Sequence, residues 1–497
     1  MIAIGSLVEG AFGRGVVVDE QGGEVLALAA PLGAAFGLAR WAPVVDLVEI
    51  GAAADKELDA AMRHQALRAV EARARRFTEA PKAFVPGESK IPVSGKVVGA
   101  PEARLMAEAA MDCWLTAGRF SDEFEAKLGA RLGAARLLAV NSGSSANLAA
   151  LSSLTSPERG ARRLRAGDEV VTAAAGFPTT INPILQNGLV PVLVDSRLDD
   201  CNIDCDQVEA AIGPKTRAIM AAHTLGNPMD MRRLRQIADK HDLWLIEDCC
   251  DALGSTLDGK LCGSFGDLAT LSFYPAHHIT MGEGGAVFGN DMGLMRAVES
   301  FRDWGRDCYC APGKDNTCGK RFCWKLGQLP LGYDHKYIYA HAGYNLKITD
   351  MQAACGLAQL ERLDGFVQAR KDNHRKLSRQ LAQMGFDKFG DVQKPIEGAD
   401  PSWFGFLVVL REDCGAQRKD VVEYLESRGV ATRLLFAGNV ARQPYFQGVE
   451  ARIPFELKNA DVIMERAFWL GVWPGLSDDE LSHMAEALGT FFGLAGF

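Results

Sequence analysis

The chain has 497 residues, 48% of them hydrophobic and 24% charged, which is enough for a large buried core and two or more domains. Its formal net charge of -9 comes without long single-sign blocks, so the sequence lacks the basic surface that nucleic acid or an anionic membrane requires. No uncharged apolar run reaches the roughly 18 residues of a membrane span, and the N-terminus lacks a secretory signal pattern. We therefore expect a cytoplasmic protein that acts on small molecules.

The sequence contains 12 cysteines. Because the cytoplasm keeps thiols reduced, clustered cysteines indicate metal or redox chemistry there, and structural disulfides are not expected. Scattered cysteines such as Cys113, Cys355 and Cys414 are expected to be small core residues.

The pattern along the chain predicts four parts. Short alternating runs near the start, at 15–18 and 24–28, predict a few short strands to which we attach no chemistry. A stretch of helical composition follows, and a segment with proline and glycine then reads as an extended linker. The predicted parts are an N-terminal extension (1–52), a helix and linker (53–100), a large domain (101–360) and a small C-terminal domain (361–497).

Within the large domain, apolar runs of strand length alternate with helical patterns. These runs occupy residues 137–140, 169–172, 190–195, 218–222, 243–247, 270–273 and 285–288. The alternation predicts an α/β fold in which helices cover a mainly parallel central sheet. A long helical pattern at 349–384 then leads to a smaller α/β domain with its own strand at 404–410.

Two features of the large domain suit a phosphorylated cofactor. Residues 141–146 (Asn-Ser-Gly-Ser-Ser-Ala) lie between a predicted strand and a predicted helix, where free backbone amides can bind phosphate, although a plain serine-rich helix cap explains them too. Asp248 ends a predicted strand, at the edge where open α/β sheets bind ligands. This carboxylate can pair with a protonated ring nitrogen or simply cap the next helix.

Together with Phe177, the run 272–285 and residues 343–345, these motifs stand in the order seen in sugar aminotransferases. Residues 95–497 resemble the DegT/DnrJ/EryC/StrS family, which implies the pyridoxal-phosphate-dependent aspartate aminotransferase fold (fold type I) and a homodimer. The resemblance also implies cofactor contacts: Gly143, Ser144 and Ser272 to the phosphate, Phe177 and Asp248 to the ring, and Asn345 to the phosphate across the dimer interface. Asp251 replaces the family's usual glutamine, which contacts the ring hydroxyl.

His277 stands where the aminotransferases of this family carry the lysine that binds the cofactor covalently. An imidazole cannot form that bond, but it can take a proton from the 4′ carbon of pyridoxamine phosphate (PMP), because its unperturbed pKa is about 6.5. The replacement implies that a 4-ketosugar condenses with the PMP amine and that loss of the 4′ proton to His277 expels the sugar 3-hydroxyl. A core histidine in an inactive relative is the alternative, and His278 is expected to be structural.

Three cysteines, Cys308, Cys310 and Cys318, lie in a loop (307–320) rich in Gly, Asp, Asn and Lys, where packing does not need thiols. With Cys250 they are separated by 57, 1 and 7 intervening residues. Zinc sites usually show paired two-residue spacings, so the pattern favours iron–sulfur over zinc. Cys250 lies two residues after Asp248, which predicts a cluster close to the cofactor.

The cysteine spacing and the stretches 249–255, 301–307 and 432–439 resemble the iron–sulfur branch of the family. That branch contains the CDP-4-keto-6-deoxy-D-glucose 3-dehydrases of 3,6-dideoxysugar and lipopolysaccharide biosynthesis. It implies a 2Fe-2S cluster at these four cysteines, although Cys249 in place of Cys250 stays open, and Cys262 and Cys323 are spare thiols.

This branch implies 3-deoxygenation of a nucleotide-linked 4-keto-6-deoxyhexose, with electrons from an NADH-linked flavin and iron–sulfur reductase. The sequence leaves the nucleotide, CDP or TDP, and the hexose open. Three alternatives are a cluster-free dehydratase recharged by glutamate, a plain sugar aminotransferase and a non-catalytic redox sensor. The cysteine loop argues against the first, and the absence of lysine from residues 272–285 argues against the second. The third alternative, the redox sensor, is distinguished by turnover, because a sensor would leave a 4-ketosugar unchanged.

Overall fold

The structure, a computed structural model, describes residues 6–10, 13–21, 24–29, 39–43, 48–52, 55–78, 83–310, 313–317 and 319–494. The chain divides into two compact units, one formed by Met1–Pro81 with Val98–Leu115 and the other by Lys82–Val97 with Thr116–Phe497. Among the described helices, none combines the length and apolar character needed to cross a bilayer.

The first unit contains five strands and two helices. They are β1 (Ser6–Gly10), β2 (Gly13–Gln21), β3 (Glu24–Ala29), β4 (Ala39–Pro43), β5 (Val48–Ala52), α1 (Asp55–Phe77) and α2 (Ala100–Met111). The strands form one antiparallel sheet in the order β4-β3-β2-β1-β5. The predicted short strands at 15–18 and 24–28 therefore lie within β2 and β3, and the predicted helical stretch forms α1.

Among the described residues, the second unit contains one seven-stranded sheet and two three-stranded sheets. Its strands are β6 (Arg136–Val140), β7 (Glu169–Ala173), β8 (Val190–Val194), β9 (Thr216–Ala222), β10 (Trp244–Asp248), β11 (Thr256–Leu257), β12 (Lys260–Leu261), β13 (Leu268–Ser272), β14 (Gly285–Gly289), β15 (Gly390–Val392), β16 (Ala399–Asp400), β17 (Gly405–Leu410) and β18 (Ala467–Gly471). The large sheet has the order β6-β14-β13-β10-β9-β7-β8. Only β14 runs antiparallel to its neighbours, which confirms the predicted, mainly parallel α/β sheet.

The helices of the second unit surround this sheet and a small antiparallel sheet, β15-β17-β18, near the C-terminus. They are α3 (Arg119–Leu132), α4 (Gly143–Ser153), α5 (Pro178–Gln186), α6 (Cys205–Ala210), α7 (Met231–Lys240), α8 (Met292–Arg302), α9 (Asp350–Leu360), α10 (Leu363–Met384), α11 (Arg418–Ser427), α12 (Lys458–Arg466) and α13 (Asp478–Phe491). The single helix predicted at 349–384 is wrong, because the chain forms α9 and α10 there. Most of α9 is buried, whereas α10 buries one face, and the break lets each helix pack on its own neighbours.

Strand register brings the ends of several elements to one edge of the large sheet. Ser272, at the end of β13, pairs with Gly285, and Gly285 in turn pairs with Val140, at the end of β6. Asp248, at the end of β10, lies beside Thr270 of β13. These strands are buried and apolar because helices cover both faces of the sheet, so the polar side chains concentrate where the strands end.

Candidate active site

The start of α4 forms a backbone cradle next to the end of β13. The hydroxyl of Ser142 caps the helix by accepting a hydrogen bond from the Ser145 amide at 3.0 Å. A Cβ atom at Gly143 would lie 2.6 Å from the Cβ of Ser272 and 3.0 Å from the sulfur of Cys250, so this position requires glycine. Ser144 is exposed in the first turn of the helix. The structure thus places Gly143, Ser144 and Ser272 together at a helix N-terminus, an arrangement that suits phosphate.

Asp248 is buried and held in one orientation by three hydrogen bonds. Its Oδ2 accepts from the Asn147 amide at 2.8 Å and from the Thr180 hydroxyl at 2.7 Å, and its Oδ1 accepts from the Cys250 backbone N–H at 3.1 Å. Residues 249–255 form turns, so Asp248 does not cap a helix, and that alternative is wrong. A carboxylate fixed in this way can pair with a protonated ring nitrogen.

Sequence reasoning missed the two side chains that orient Asp248. Asn147 lies on α4 and also accepts a hydrogen bond from Thr270 at 2.6 Å, and Thr180 lies in the first turn of α5. Each follows a predicted strand closely in sequence. That position places them at the same edge of the sheet, but no sequence pattern gives the distances that make them partners of Asp248.

His277 lies in the turn after β13 with a nearly buried side chain. Its ring packs on Phe404, with centroids 5.0 Å apart and planes tilted by 35°. Burial, and next the positive charge of Arg370, lower the pKa of His277 to about 4. The imidazole is therefore neutral at physiological pH, which is the form that accepts a proton.

Asp251 faces this histidine, with 3.5 Å between its Oδ1 and Nδ1 of His277. Burial, and next the charge of Asp248, raise the pKa of Asp251 to about 8. The opposite shifts leave both groups mainly uncharged near neutral pH, so this contact is a neutral pair and not an ion pair. The predicted contact of Asp251 with a cofactor hydroxyl stays a prediction.

Phe177 and Asn345 lie at the surface of the unit. Phe177 precedes α5, is 48% exposed and meets the ring of Phe436 edge-on at 5.5 Å. Asn345 is exposed, and the next residue, Leu346, accepts a hydrogen bond from the Asn141 amide at 2.8 Å. That bond brings Asn345 to the strand end from which the phosphate cradle begins, while its contact with phosphate across a dimer stays a prediction.

The predicted cluster ligands lie in two places. Cys308 and Cys310 line a small open cavity with Arg321, Lys336 and Asp315, and the Asp315 carboxylate pairs with both cations. Cys250 lies against the phosphate cradle and is not among the described residues that line this cavity. Burial, and next Asp248, raise the pKa of the Cys250 thiol well above its usual value. Cys318 lies outside the described residues.

Cys249 belongs to a separate buried group with His223 and Glu247, whose potential ligand atoms all lie within 4.8 Å of one another. Nδ1 of His223 accepts a hydrogen bond from the Met229 amide at 3.0 Å, so Nε2 carries the proton and faces Glu247 at 3.2 Å. A metal-binding histidine normally donates from its second nitrogen, and here that nitrogen accepts.

The carboxylate of Glu247 is also occupied, because it accepts hydrogen bonds from three backbone amides. The donors are Gly263, Phe265 and Gly266. The group around Cys249 is therefore a satisfied hydrogen-bond network, which favours Cys250 over Cys249 as a metal ligand.

Three comparisons with known proteins agree with this architecture. Residues 98–489 match the DegT/DnrJ/EryC1/StrS aminotransferase family. The chain is 58% identical over 414 residues to the lipopolysaccharide biosynthesis protein RfbH of Salmonella typhimurium. The aligned region covers 83% of this chain and 94% of that protein. It is 50% identical over 410 residues to the dTDP-4-dehydro-2,6-dideoxy-D-glucose 3-dehydratase of Saccharopolyspora spinosa, covering 82% and 88%.

A solved structure, the GDP-4-keto-6-deoxy-D-mannose-3-dehydratase of E. coli with bound hydrated pyridoxal phosphate (PLP), superposes with a TM-score of 0.71 at 25% identity. The superposition covers 81% of this chain and 100% of that structure. These similarities confirm the predicted fold class.

Proposed function

Because the chain belongs to the DegT/DnrJ/EryC1/StrS aminotransferase family and shares the fold of its PLP enzymes, we propose that it is a PMP-dependent 3-dehydrase. It removes the 3-hydroxyl from a nucleotide-linked 4-keto-6-deoxyhexose, and CDP-4-keto-6-deoxy-D-glucose is the first substrate to test. One observation carries the proposal: a histidine with a nearly buried side chain, His277, stands in the turn after β13, at the position where the aminotransferases of this family carry the lysine that binds the cofactor.

The site fits PMP on two features of its geometry. The absence of a side chain at Gly143 lets the start of α4 lie directly against Ser272, and Nδ1 of His277 is buried without a hydrogen-bond partner among the described residues. When bound, PMP supplies an amine that condenses with a ketone and a ring that draws electrons towards its nitrogen.

The chain's own residues bind this cofactor and move one proton. The amides of Gly143 and Ser144 and the hydroxyl of Ser272 hold the phosphate, while Phe177 covers the ring. Asp248, fixed by Asn147 and Thr180, keeps a proton on the ring nitrogen. His277 takes the proton from the 4′ carbon, and its neutral state means that no other proton must leave it first.

A second part of the proposal is a 2Fe-2S cluster bound by Cys250, Cys308, Cys310 and Cys318. In its support, two of these thiols, those of Cys308 and Cys310, line one cavity. Cys250 is adjacent to the Asp248 network, which suits electron transfer to the cofactor. The proposal includes a homodimer and an NADH-linked flavin and iron–sulfur reductase, and it places the reaction in the cytoplasm.

A cluster-free dehydratase recharged by glutamate is the second candidate, because the E. coli structure to which this chain is similar is a 3-dehydratase that binds PLP. The deciding experiment purifies the protein anaerobically, measures iron and sulfide, records an electron paramagnetic resonance (EPR) spectrum, and adds PMP tritiated at the 4′ carbon with a nucleotide 4-ketosugar.

Three outcomes separate the candidates. Iron and sulfide at one 2Fe-2S cluster per chain, with tritium release and reductase-dependent product, support the proposal. Tritium release without iron, sustained by glutamate, supports the second candidate. A cluster without tritium release from any 4-ketosugar tested leaves the redox sensor.

A further inference from the structure

Arg370, on α10, is among the largest fully buried side chains of the described residues, with 1% of its surface exposed. Its Nη2 donates to the carbonyl oxygens of Ala276 at 3.1 Å and His277 at 3.0 Å. Its Nη1 donates to the carbonyls of Trp403 at 3.3 Å and Phe404 at 3.2 Å. One guanidinium therefore joins the turn that contains Ala276 and His277, here called the histidine turn, to the segment that leads into β17.

This arginine is buried in an unusual way. Buried charges are normally paired with an opposite charge, because removing an unpaired charge from water is costly. Among the described residues, the hydrogen bonds of Arg370 all go to neutral backbone carbonyls. Burial lowers the pKa of Arg370 to about 10, and the nearby Asp251 acts in the opposite sense. An apolar side chain of similar length would avoid this desolvation cost. The guanidinium and its N–H donors must therefore serve a purpose beyond filling the core.

The contacts of Arg370 converge on the imidazole of His277. Two of its four carbonyl partners, those of Ala276 and His277, fix the main chain that carries the ring. A third, that of Phe404, fixes the residue whose ring packs on the imidazole. The guanidinium thus fixes both the backbone that carries the imidazole and the residue whose ring packs on it.

We propose that Arg370 is a positioning residue for His277, which keeps the imidazole in a single orientation in the active site. The inference rests on the proposed function only in that His277 is taken as the base. Arg370 touches neither the substrate nor the 4′ carbon and acts through the histidine turn.

Three variants of the full chain test the inference. Arg370→Met keeps most of the length of the side chain but removes its charge and all its donors. Arg370→Lys keeps the charge and loses the planar fork that reaches four carbonyls at once. Arg375→Met, on the same helix, is the matched control, because the Arg375 side chain is 71% exposed and pairs only with Asp372 among its ion-pair partners in the described residues.

The first measurement separates cofactor binding from proton transfer. We expect Arg370→Met to lower the rate of tritium release from the 4′ carbon by about tenfold or more, because small displacements of a catalytic group have effects of this size. PMP affinity should change by less than about threefold, since the phosphate and ring contacts do not involve Arg370. Arg370→Lys should fall between wild type and Arg370→Met, and Arg375→Met should match wild type.

The second measurement follows the imidazole itself, by NMR of the cofactor-free protein with ring-labelled histidine. The His277 signal is identified by its absence from a His277→Asn variant. We expect this signal to shift or broaden in Arg370→Met, because the ring loses its single orientation, and to stay at the wild-type position in Arg375→Met, with Arg370→Lys between the two. A merely structural arginine would not change this signal selectively.

Two results would overturn the inference. One is an unchanged rate of proton release with an unchanged His277 signal in Arg370→Met. The other is a loss of PMP affinity as large as the loss of rate, which would mark a general structural role. If Arg370→Met does not fold, the rate and affinity of Arg370→Lys decide. If wild type releases no 4′ proton, the proposed function fails, whereas the NMR signal of His277 still tests the positioning role.

Discussion

The cofactor site and the cysteine loop are built in different ways. The cofactor residues sit where β10, β13 and α4 end or begin, so strand register fixes their spacing. Between α8 and α9, the described chain forms one short 3-10 turn, His335–Tyr337, and two isolated β-bridges, Asp303 to Asn345 and Arg306 to Tyr339, so the cysteines lie on irregular backbone. The first region is preorganised by the fold, and the second is not.

The loop is anchored by a few polar contacts. His335, which is buried, lies 2.6 Å from the carboxylate of Asp307, next to Cys308, and Arg321 pairs with Asp334 at 2.6 Å. Partly exposed pairs of this kind contribute little stability. A metal bound there would therefore organise the loop as well as carry electrons. Substitutions in the two regions should therefore have separate effects. Those in the cofactor site should slow proton release, and those in the cysteine loop should slow electron transfer.

The strongest test of the cofactor site is His277→Asn. Asparagine keeps a polar side chain of similar reach but cannot act as a base near neutral pH. We expect tritium release from the PMP 4′ carbon to fall by about 10²- to 10⁴-fold, the usual contribution of a general base. Iron content and PMP affinity should stay at wild-type values.

His483→Asn is the control for this variant, because the partly buried His483, on α13, bonds to the Arg428 carbonyl and packs on Phe84, and makes no such contact with the described site residues. It should release the proton at the wild-type rate. Undiminished release in His277→Asn would remove this histidine from the mechanism.

Cys310→Ser tests the other region. A serine hydroxyl is a poor ligand for iron, so we expect less bound iron and at least about a tenfold loss of reductase-coupled turnover. Release of the 4′ proton should persist, because the cofactor site does not depend on the loop.

Cys323→Ser is the matched control, as Cys323 is an exposed thiol close to the loop. It should keep both iron and coupled turnover. Wild-type iron content in Cys310→Ser would reject Cys310 as a ligand.

The same contrast explains what could be predicted from sequence. The strands of the large sheet begin and end within two residues of their predicted positions, because apolar runs between helical patterns mark them clearly. Asp248, Ser272 and Gly143 follow from those strand ends. Asn147, Thr180 and Arg370 were missed, since their roles depend on distances between elements remote in sequence. For the same reason, the spacing of the cysteines predicts a ligand set but not its geometry.

Asn147→Ala tests whether orientation of Asp248 matters. The variant removes the 2.8 Å hydrogen bond to Asp248 and leaves that buried carboxylate with one donor fewer. We expect PMP affinity to fall by about tenfold, since a lost bond to a buried charged group is worth about 1.5–3 kcal/mol and Thr180 still holds Asp248.

Ser152→Ala is the control, because Ser152 lies on the same helix and makes a hydrogen bond to Asn187 away from Asp248. It should lower stability without changing PMP affinity. Equal affinity in the two variants would show that Asn147 serves the fold alone.

The last prediction concerns Asp251 and the pH dependence of stability. Its pKa is about 8 in the folded protein, against an ordinary value of 3.8, so between these limits the folded state holds a proton that the unfolded state has lost. The free energy of unfolding should therefore decrease as pH rises through this window, by up to about 1.4 kcal/mol per pH unit from this group. Asp251→Asn should remove that contribution and gain stability relative to wild type as pH approaches 8.

Denaturant unfolding of the cofactor-free protein between pH 5 and pH 8 measures this difference. His277, with its lowered pKa, contributes a slope of the opposite sign below about pH 6.5, so only the difference between wild type and Asp251→Asn isolates the carboxyl group. Asp420→Asn, an exposed aspartate of α11, should give a curve parallel to wild type. A parallel curve for Asp251→Asn as well would mean that Asp251 is ionised in the folded protein. Its contact with His277 would then join an ionised carboxylate to a neutral imidazole instead of two uncharged groups.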